Sequence, residues 1–183
     1  MSKRVTLPVI AFFGLALLQA RAADSETNIS AGELRQTGEI DVSSALALDR
    51  SDLFSTVDGS LLLHTLPALT LLDGRRFPIS GDLARMGVAP VDLFPLTFLH
   101  AVKVTSGTKS IEAGSDAVGG TVDLRLKRFE TGGEVGVFYG KSSGRYGRED
   151  FETYLVGGIA TDKVQITAGA SYRETTSRGP RRP

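Results

Sequence analysis

Ala68-Leu69-Thr70-Leu71-Leu72-Asp73-Gly74-Arg75-Arg76-Phe77 opens the stretch that decides the fold, Leu69 to Lys127. An apolar run that stops at Asp73-Gly74 and resumes predicts a hairpin, because Gly takes the positive φ that a tight turn needs. Pro90-Val91-Asp92-Leu93-Phe94-Pro95 follows, then Phe98-Leu99-His100-Ala101-Val102-Lys103-Val104. The stretch closes on Gly114-Ser115-Asp116-Ala117-Val118-Gly119-Gly120-Thr121-Val122-Asp123-Leu124, whose glycines mark a sharp bend between two strands. The order of parts is strand, turn, strand, helix, strand, glycine loop, strand.

Upstream, Ser30-Ala31-Gly32-Glu33 is a capping box, so a short helix is expected through Gln36 with Gly38 as its stop. Asp41 is placed to cap a second helix, Val42 to Leu48, with Val42, Ala45 and Leu46 on one face. Leu53–Val57 and Ser60–Leu63 read as two strands around Asp58-Gly59. Leu34, Leu46, Leu62, Leu71, Val102, Val104, Ile111, Val122 and Leu124 are the expected core. His64 and His100 read as partly buried structural side chains, with no second histidine at ligand spacing.

Downstream of Lys127 the texture changes. Val135, Val137 and Tyr139 alternate with Glu134, Gly136 and Phe138. Phe151–Ala160 and Val164–Tyr172 repeat the alternation, with Phe151, Thr153, Leu155, Gly157 and Ile159 on one face. Segments of ~10 residues with period-two alternation are the signature of membrane β-strands. A polar loop, Lys141–Asp150, separates the first two and a short turn, Thr161–Lys163, the next two. That is the pattern of outer loops and periplasmic turns. The fold class expected is α+β: a small mixed sheet with short helices, followed by antiparallel strands that start an incomplete barrel.

The chain has 183 residues, with 21 Lys plus Arg against 21 Asp plus Glu and no cysteine. Zero formal charge gives no electrostatic case for nucleic acid, and the lack of cysteine excludes disulfides and thiolate metal sites. Lys3 and Arg4, the apolar run Val9–Leu18 and Ala20-Arg21-Ala22 form a secretory signal peptide. A transmembrane anchor is the competing reading, but the apolar run falls short of the ~20 residues that a spanning helix needs. No catalytic constellation is present. Ser106-Gly107-Thr108-Lys109 fits S-x-x-K but lacks its partner motifs, and Gly140-Lys141-Ser142 lacks the leading glycine of a phosphate loop. Asn28-Ile29-Ser30 is a glycosylation sequon that stays idle in a bacterial reading.

Leu71-Leu72-Asp73-Gly74-Arg75-Arg76, Val102-Lys103-Val104-Thr105-Ser106-Gly107 and Gly114-Ser115-Asp116-Ala117-Val118-Gly119-Gly120 together resemble the plug domain of TonB-dependent outer-membrane receptors. Ile29–Gly38 is similar to the first helix of such plugs. The resemblance implies a signal peptide at 1–22, a plug at 23–128, three barrel strands at 129–174 and a disordered tail at 175–183. It implies uptake of a scarce ligand (a siderophore, cobalamin or a carbohydrate), with no catalysis, metal or cofactor. Upper plug loops would meet the ligand, through Asp58, Phe77, Ser80, Asp82 and Arg85. Lys103, Ser106 and Lys109 would lie against the barrel. The family carries Glu and Arg at the positions of Lys103 and Ser106, so here one charge is reversed and another removed. Partners implied are the TonB complex in a full-length form, the remaining barrel strands or a second polypeptide, and outer-membrane lipid.

Three strands cannot close a barrel that takes ~22 in the large transporters, and an open edge is not tolerated in hydrocarbon. A truncated receptor, not transport-competent alone and not engaging TonB through the polar Ala23–Thr27, is therefore expected. The alternative is a free periplasmic plug-like binding module. A secreted β-rich enzyme is a third class, disfavoured by the absent catalytic groups. The signal-peptide reading predicts that N-terminal sequencing of the exported protein begins Ala23-Asp24-Ser25. A product retaining Met1 would support the anchor instead.

Overall fold

The structure, a computed structural model, describes residues 25–57, 60–76, 89–106, 114, 117–143 and 147–177. Two short helices follow the first strand. Helix α1, Ala31–Gln36, starts at Ser30, whose hydroxyl accepts the Glu33 amide at 3.1 Å while Glu33 takes the Ser30 amide at 3.0 Å. That reciprocal bond holds the Glu33 carboxyl below the usual carboxylate range, chiefly through the Ser30 backbone. Gly38, at φ 78, ends the turn as its freedom at positive φ allows. Helix α2, Val42–Asp49, buries Val42, Ala45 and Leu46, as the spacing requires.

The helices pack on a mixed sheet of seven strands: β1 Ser25–Ser30, β2 Phe54–Val57, β3 Ser60–Leu63, β4 Leu66–Leu72, β5 Arg75–Arg76, β6 Leu99–Ser106 and β7 Gly120–Leu126. The order is β1-β6-β7-β4-β3-β2, with β5 paired to β4. All pairings are antiparallel except β4 with β7, which run parallel from Ala68 opposite Gly120 to Leu72 opposite Leu124. Parallel neighbours need a long crossover. Here it runs from Asp73 to Gly119, and its described part includes β5, β6 and two 3-10 turns, Pro90–Asp92 and Leu96–Phe98. Proline opens the first turn, where its missing N–H costs nothing.

Gly119 and Gly120 make the parallel pairing possible. A Cβ on Gly119 would meet the Leu66 carbonyl oxygen at 2.6 Å, and one on Gly120, at φ 133, would meet that of Thr105 at 2.5 Å. β7 enters between β6 and β4 at a distance only glycine permits. The core gathers Leu34, Leu46, Leu63, Leu99, Val102, Val122 and Leu124 between sheet and helices. Leu62 and Leu71 are only half-buried, which corrects their place in the expected core. Leu61, Leu63 and Leu72 point to the core side, so the pleat turns Leu62 and Leu71 to the opposite face. Ile111 lies outside the described residues.

Two tight turns carry non-glycine residues at positive φ. Asp73 (φ 47) and Gly74 (φ 78) form the expected hairpin between β4 and β5. His64 (φ 50) and Thr65 (φ 66) join β3 to β4, with Leu63 opposite Leu66. Both are exposed, so His64 is a turn residue rather than the partly buried one expected. His100 is also exposed, at a register shift in β6.

Beyond Lys127 three long strands form a separate antiparallel sheet: β8 Thr131–Lys141, β9 Arg148–Ala160 and β10 Gln165–Ser177, in the order β10-β9-β8. β9 starts three residues before the expected Phe151. β10 runs on through Ser177, past the expected start of the tail at residue 175. One face presents Val135, Val137, Tyr139, Leu155, Ile159, Ile166 and Tyr172 to the exterior, each more than half exposed. Among the described residues, no helix is long and apolar enough to cross a membrane.

A β-branched residue in the left-handed region costs about 1–2 kcal/mol, so Thr65→Gly is expected to raise the unfolding free energy by about that amount. Gly120→Ala is expected to lower it by on the order of 2 kcal/mol or more, from backbone strain and overlap. Chemical denaturation followed by circular dichroism checks both.

Candidate functional site

The two sheets meet through a polar seam. The three-stranded sheet turns Glu134, Glu152, Tyr154, Arg148 and Arg173 toward the helices and 3-10 turns of the mixed sheet. Lys127 Nζ lies 2.6 Å from Glu134, which also takes the Tyr154 hydroxyl and stands 3.8 Å from Arg35. The same ammonium sits 5.8 Å from the Tyr154 ring centre. At mid-seam Thr97 donates to Glu152 at 3.0 Å, and the carboxylate-bearing residue is only 1% exposed. The Phe98 ring fills the space left by Gly169 on β10, where a Cβ would approach it to 2.9 Å.

A second charge cluster closes the seam. Arg148 reaches Glu39 at 3.3 Å, Asp41 at 3.6 Å and Asp150 at 2.7 Å. Arg173 reaches Asp41 at 3.0 Å and donates to the Asp92 carbonyl at 3.4 Å. Asp41 occupies the N-cap position of α2 but makes no side-chain cap bond, contrary to its expected role. Its carboxylate is taken by the two arginines. The cap comes instead from Asp92, 49 residues away in sequence, which accepts the Ser43 amide at 2.8 Å and the Ser43 hydroxyl at 2.6 Å. Burial raises the Asp92 carboxyl above its ordinary value, against the lowering effect of its Ser43 bonds.

Asp58, Phe77, Ser80, Asp82, Arg85 and Lys109 lie outside the described residues. Lys103 lies on β6 with its ammonium 2.9 Å from Glu26 of β1. Ser106 is buried at the end of β6, opposite Ser25. Neither enters the seam just described, whose members Arg35, Glu39, Thr97, Glu152 and Arg173 carry no mark in the sequence, while Asp41 reads there only as a helix cap and Glu134 only as one position of an alternating strand. The available signal was polar residues at alternate positions of β8 to β10, facing away from the apolar side.

Removing the remote cap by Asp92→Ala is expected to cost about 1–2 kcal/mol. Because the folded carboxyl binds its proton more tightly than the unfolded one, its contribution is fully present below 3.8 and is lost as pH rises through the raised folded value. Asp92→Asn is expected to remove that decline from a pH series of denaturation curves.

No protein-family model matches the chain. Among solved structures, the siderophore receptor PirA from Pseudomonas aeruginosa superposes with a TM-score of 0.60 at 18% identity, covering 82% of this chain and 28% of its own. The ferric citrate transporter FecA in its unliganded form gives 0.59 at 18% identity, covering 86% and 26%. This chain thus spans little more than a quarter of the length of either. Over that length it has the fold of TonB-dependent receptors.

Proposed function

We propose that the chain is the plug and first wall strands of a TonB-dependent outer-membrane receptor that takes up a scarce ligand, with siderophores the favoured class among siderophore, cobalamin and carbohydrate. The observation that carries this reading is the opposed polarity of the three-stranded sheet. Its apolar side faces out, as hydrocarbon requires, and its charged side grips a separately cored body. A wall made for protein burial would reverse that arrangement. Likeness of fold to a siderophore receptor and a ferric citrate transporter supports the ligand class.

On this reading residues 1–22 direct export, 23–128 form the plug, and 129–174 begin the barrel. Asp58, Phe77, Ser80, Asp82 and Arg85 line the ligand side of the plug. Lys103, Ser106 and Lys109 are left to meet strands of the wall other than β8 to β10. In a full-length form the TonB complex supplies the energy from the periplasmic side. The role is binding and gating rather than catalysis.

Cell fractionation tests the reading. Supplied with the remaining barrel strands that close its open edges, the chain is expected in the outer membrane, and Leu155→Arg, which sets a cation in the apolar face at a cost of about 2–4 kcal/mol, is expected to displace it. Recovery of the unaltered chain from the periplasmic extract would contradict insertion and favour a free periplasmic binding module.

A further inference from the structure

The two helices are capped in different ways. α1 carries its own box, Ser30 with Glu33. α2 has no local equivalent: Asp41 makes no cap bond, no acidic residue stands in the first turn and no basic residue in the last. Ser43 and Ser44 are weak helix formers. A helix of eight residues is marginal by itself in water, where isolated helices need ~12–15. The start of α2 depends instead on Asp92, whose carboxylate accepts the amide and the hydroxyl of the buried Ser43.

Asp92 ends the 3-10 turn Pro90–Asp92, and that turn is held from the other sheet. Arg173 on β10 donates through Nη1 to the Asp41 carboxylate at 3.0 Å and through Nη2 to the Asp92 carbonyl at 3.4 Å. The planar fork of a guanidinium suits such a bridge. The contacts close a ring: Asp41 to Arg173, Arg173 to Asp92, and Asp92 back to Ser43, two positions beyond Asp41. Arg148 also reaches Asp41, at 3.6 Å, and is not a member of this ring.

We propose that the ring is a conformational latch, through which β10 keeps the cap of α2 in place. When a Ser43–Asp92 bond breaks with Arg173 engaged, the tether keeps the carboxylate beside Ser43 and the bond re-forms, because the local concentration of acceptor stays high. Without Arg173 the turn is free to swing away, so the opened form gains conformational freedom. The capped form loses only a partly exposed ion pair, which leaves the stability of the whole body almost unaltered. By linkage the effect runs both ways, since a capped α2 sets Asp41 and the Asp92 carbonyl where one guanidinium spans them. Parting the sheets therefore loosens the first turn of α2 while α1 stays formed. The latch does not depend on the receptor reading; on that reading, α2 is the first element to loosen when the plug leaves its wall.

Amide hydrogen exchange of the full chain in detergent, resolved by nuclear magnetic resonance, tests the proposal. The probes are Ser43 and Ala45, whose amides bond Asp92 and the Asp41 carbonyl, with Glu33 of α1 as the internal reference. Arg173→Ala is expected to speed exchange at Ser43 and Ala45 about tenfold and to leave Glu33 within about twofold. Arg148→Ala, which removes a charge near Asp41 without breaking the bridge, is expected to leave all three within about twofold. In Asp92→Ala, which has no cap left to tether, adding Arg173→Ala is expected to speed exchange no further. Loss of a positive charge near a helix N-terminus would by itself steady the helix, so faster exchange reports the tether and not the charge. Unchanged or slower exchange at Ser43 in Arg173→Ala would overturn the proposal. So would an equal rise at Glu33, or the same acceleration in the Asp92→Ala background.

Discussion

Arg173 on β10 reaches Asp41 at the start of α2 and the carbonyl of Asp92, and Arg148 on β9 reaches Glu39 and Asp41. On these contacts, with Lys127–Glu134 and Thr97–Glu152, depends the placement of one sheet against the other. Val156 is the only buried hydrophobic residue of the three-stranded sheet among the described residues, and it lies outside the core cluster. Hydrophobic burial thus folds the mixed-sheet body, while charge and hydrogen bonding join it to its neighbour. Individually, half-exposed ion pairs contribute little, about 0–1 kcal/mol each. Several in one network can orient two bodies without fusing them. Polar contacts of this kind can be exchanged for water far more cheaply than an apolar core can be opened.

Within the body, a second constraint is steric. β7 slides between β6 and β4 because Gly119 and Gly120 present no side chain to the carbonyls of Leu66 and Thr105. The parallel pair then brings Asp123 under the β4–β5 turn, where it accepts the Gly74 amide and the Arg125 guanidinium. Motif fragments 49 residues apart in sequence therefore form one structural unit. Asp92, equally far from Ser43, does the same for α2.

Local chemistry was legible in the residues. The Ser30–Glu33 box, the Asp73-Gly74 turn, the buried face of α2 and the alternation of β8 to β10 each depend on neighbours within a few positions. Contacts set by the tertiary fold were not. β1, Ser-Glu-Thr-Asn-Ile-Ser, has no strand pattern and is held by its pairing with β6. Asp41 had the composition and place of a cap, yet the approach of two arginines outbid the local amide. Leu62 and Leu63 are alike in sequence, and only the pleat decides which is inside. The bulge at His100 follows from a register set by both strands. Of the seam, the sequence offered only that one face of the ribbon is polar, not what it would meet.

The chain has no cysteine, so two can be introduced cleanly. Spin labels at Leu48→Cys on α2 and Val137→Cys on β8, both well exposed, report the separation of the two sheets by pulsed electron resonance. One narrow distance distribution is expected in the native seam. A broad one is expected when Arg148→Ala and Arg173→Ala are combined, with the unfolding transition of the mixed-sheet body unchanged. A distribution that stays narrow without the arginines, or a body that loses its stability along with them, would contradict it.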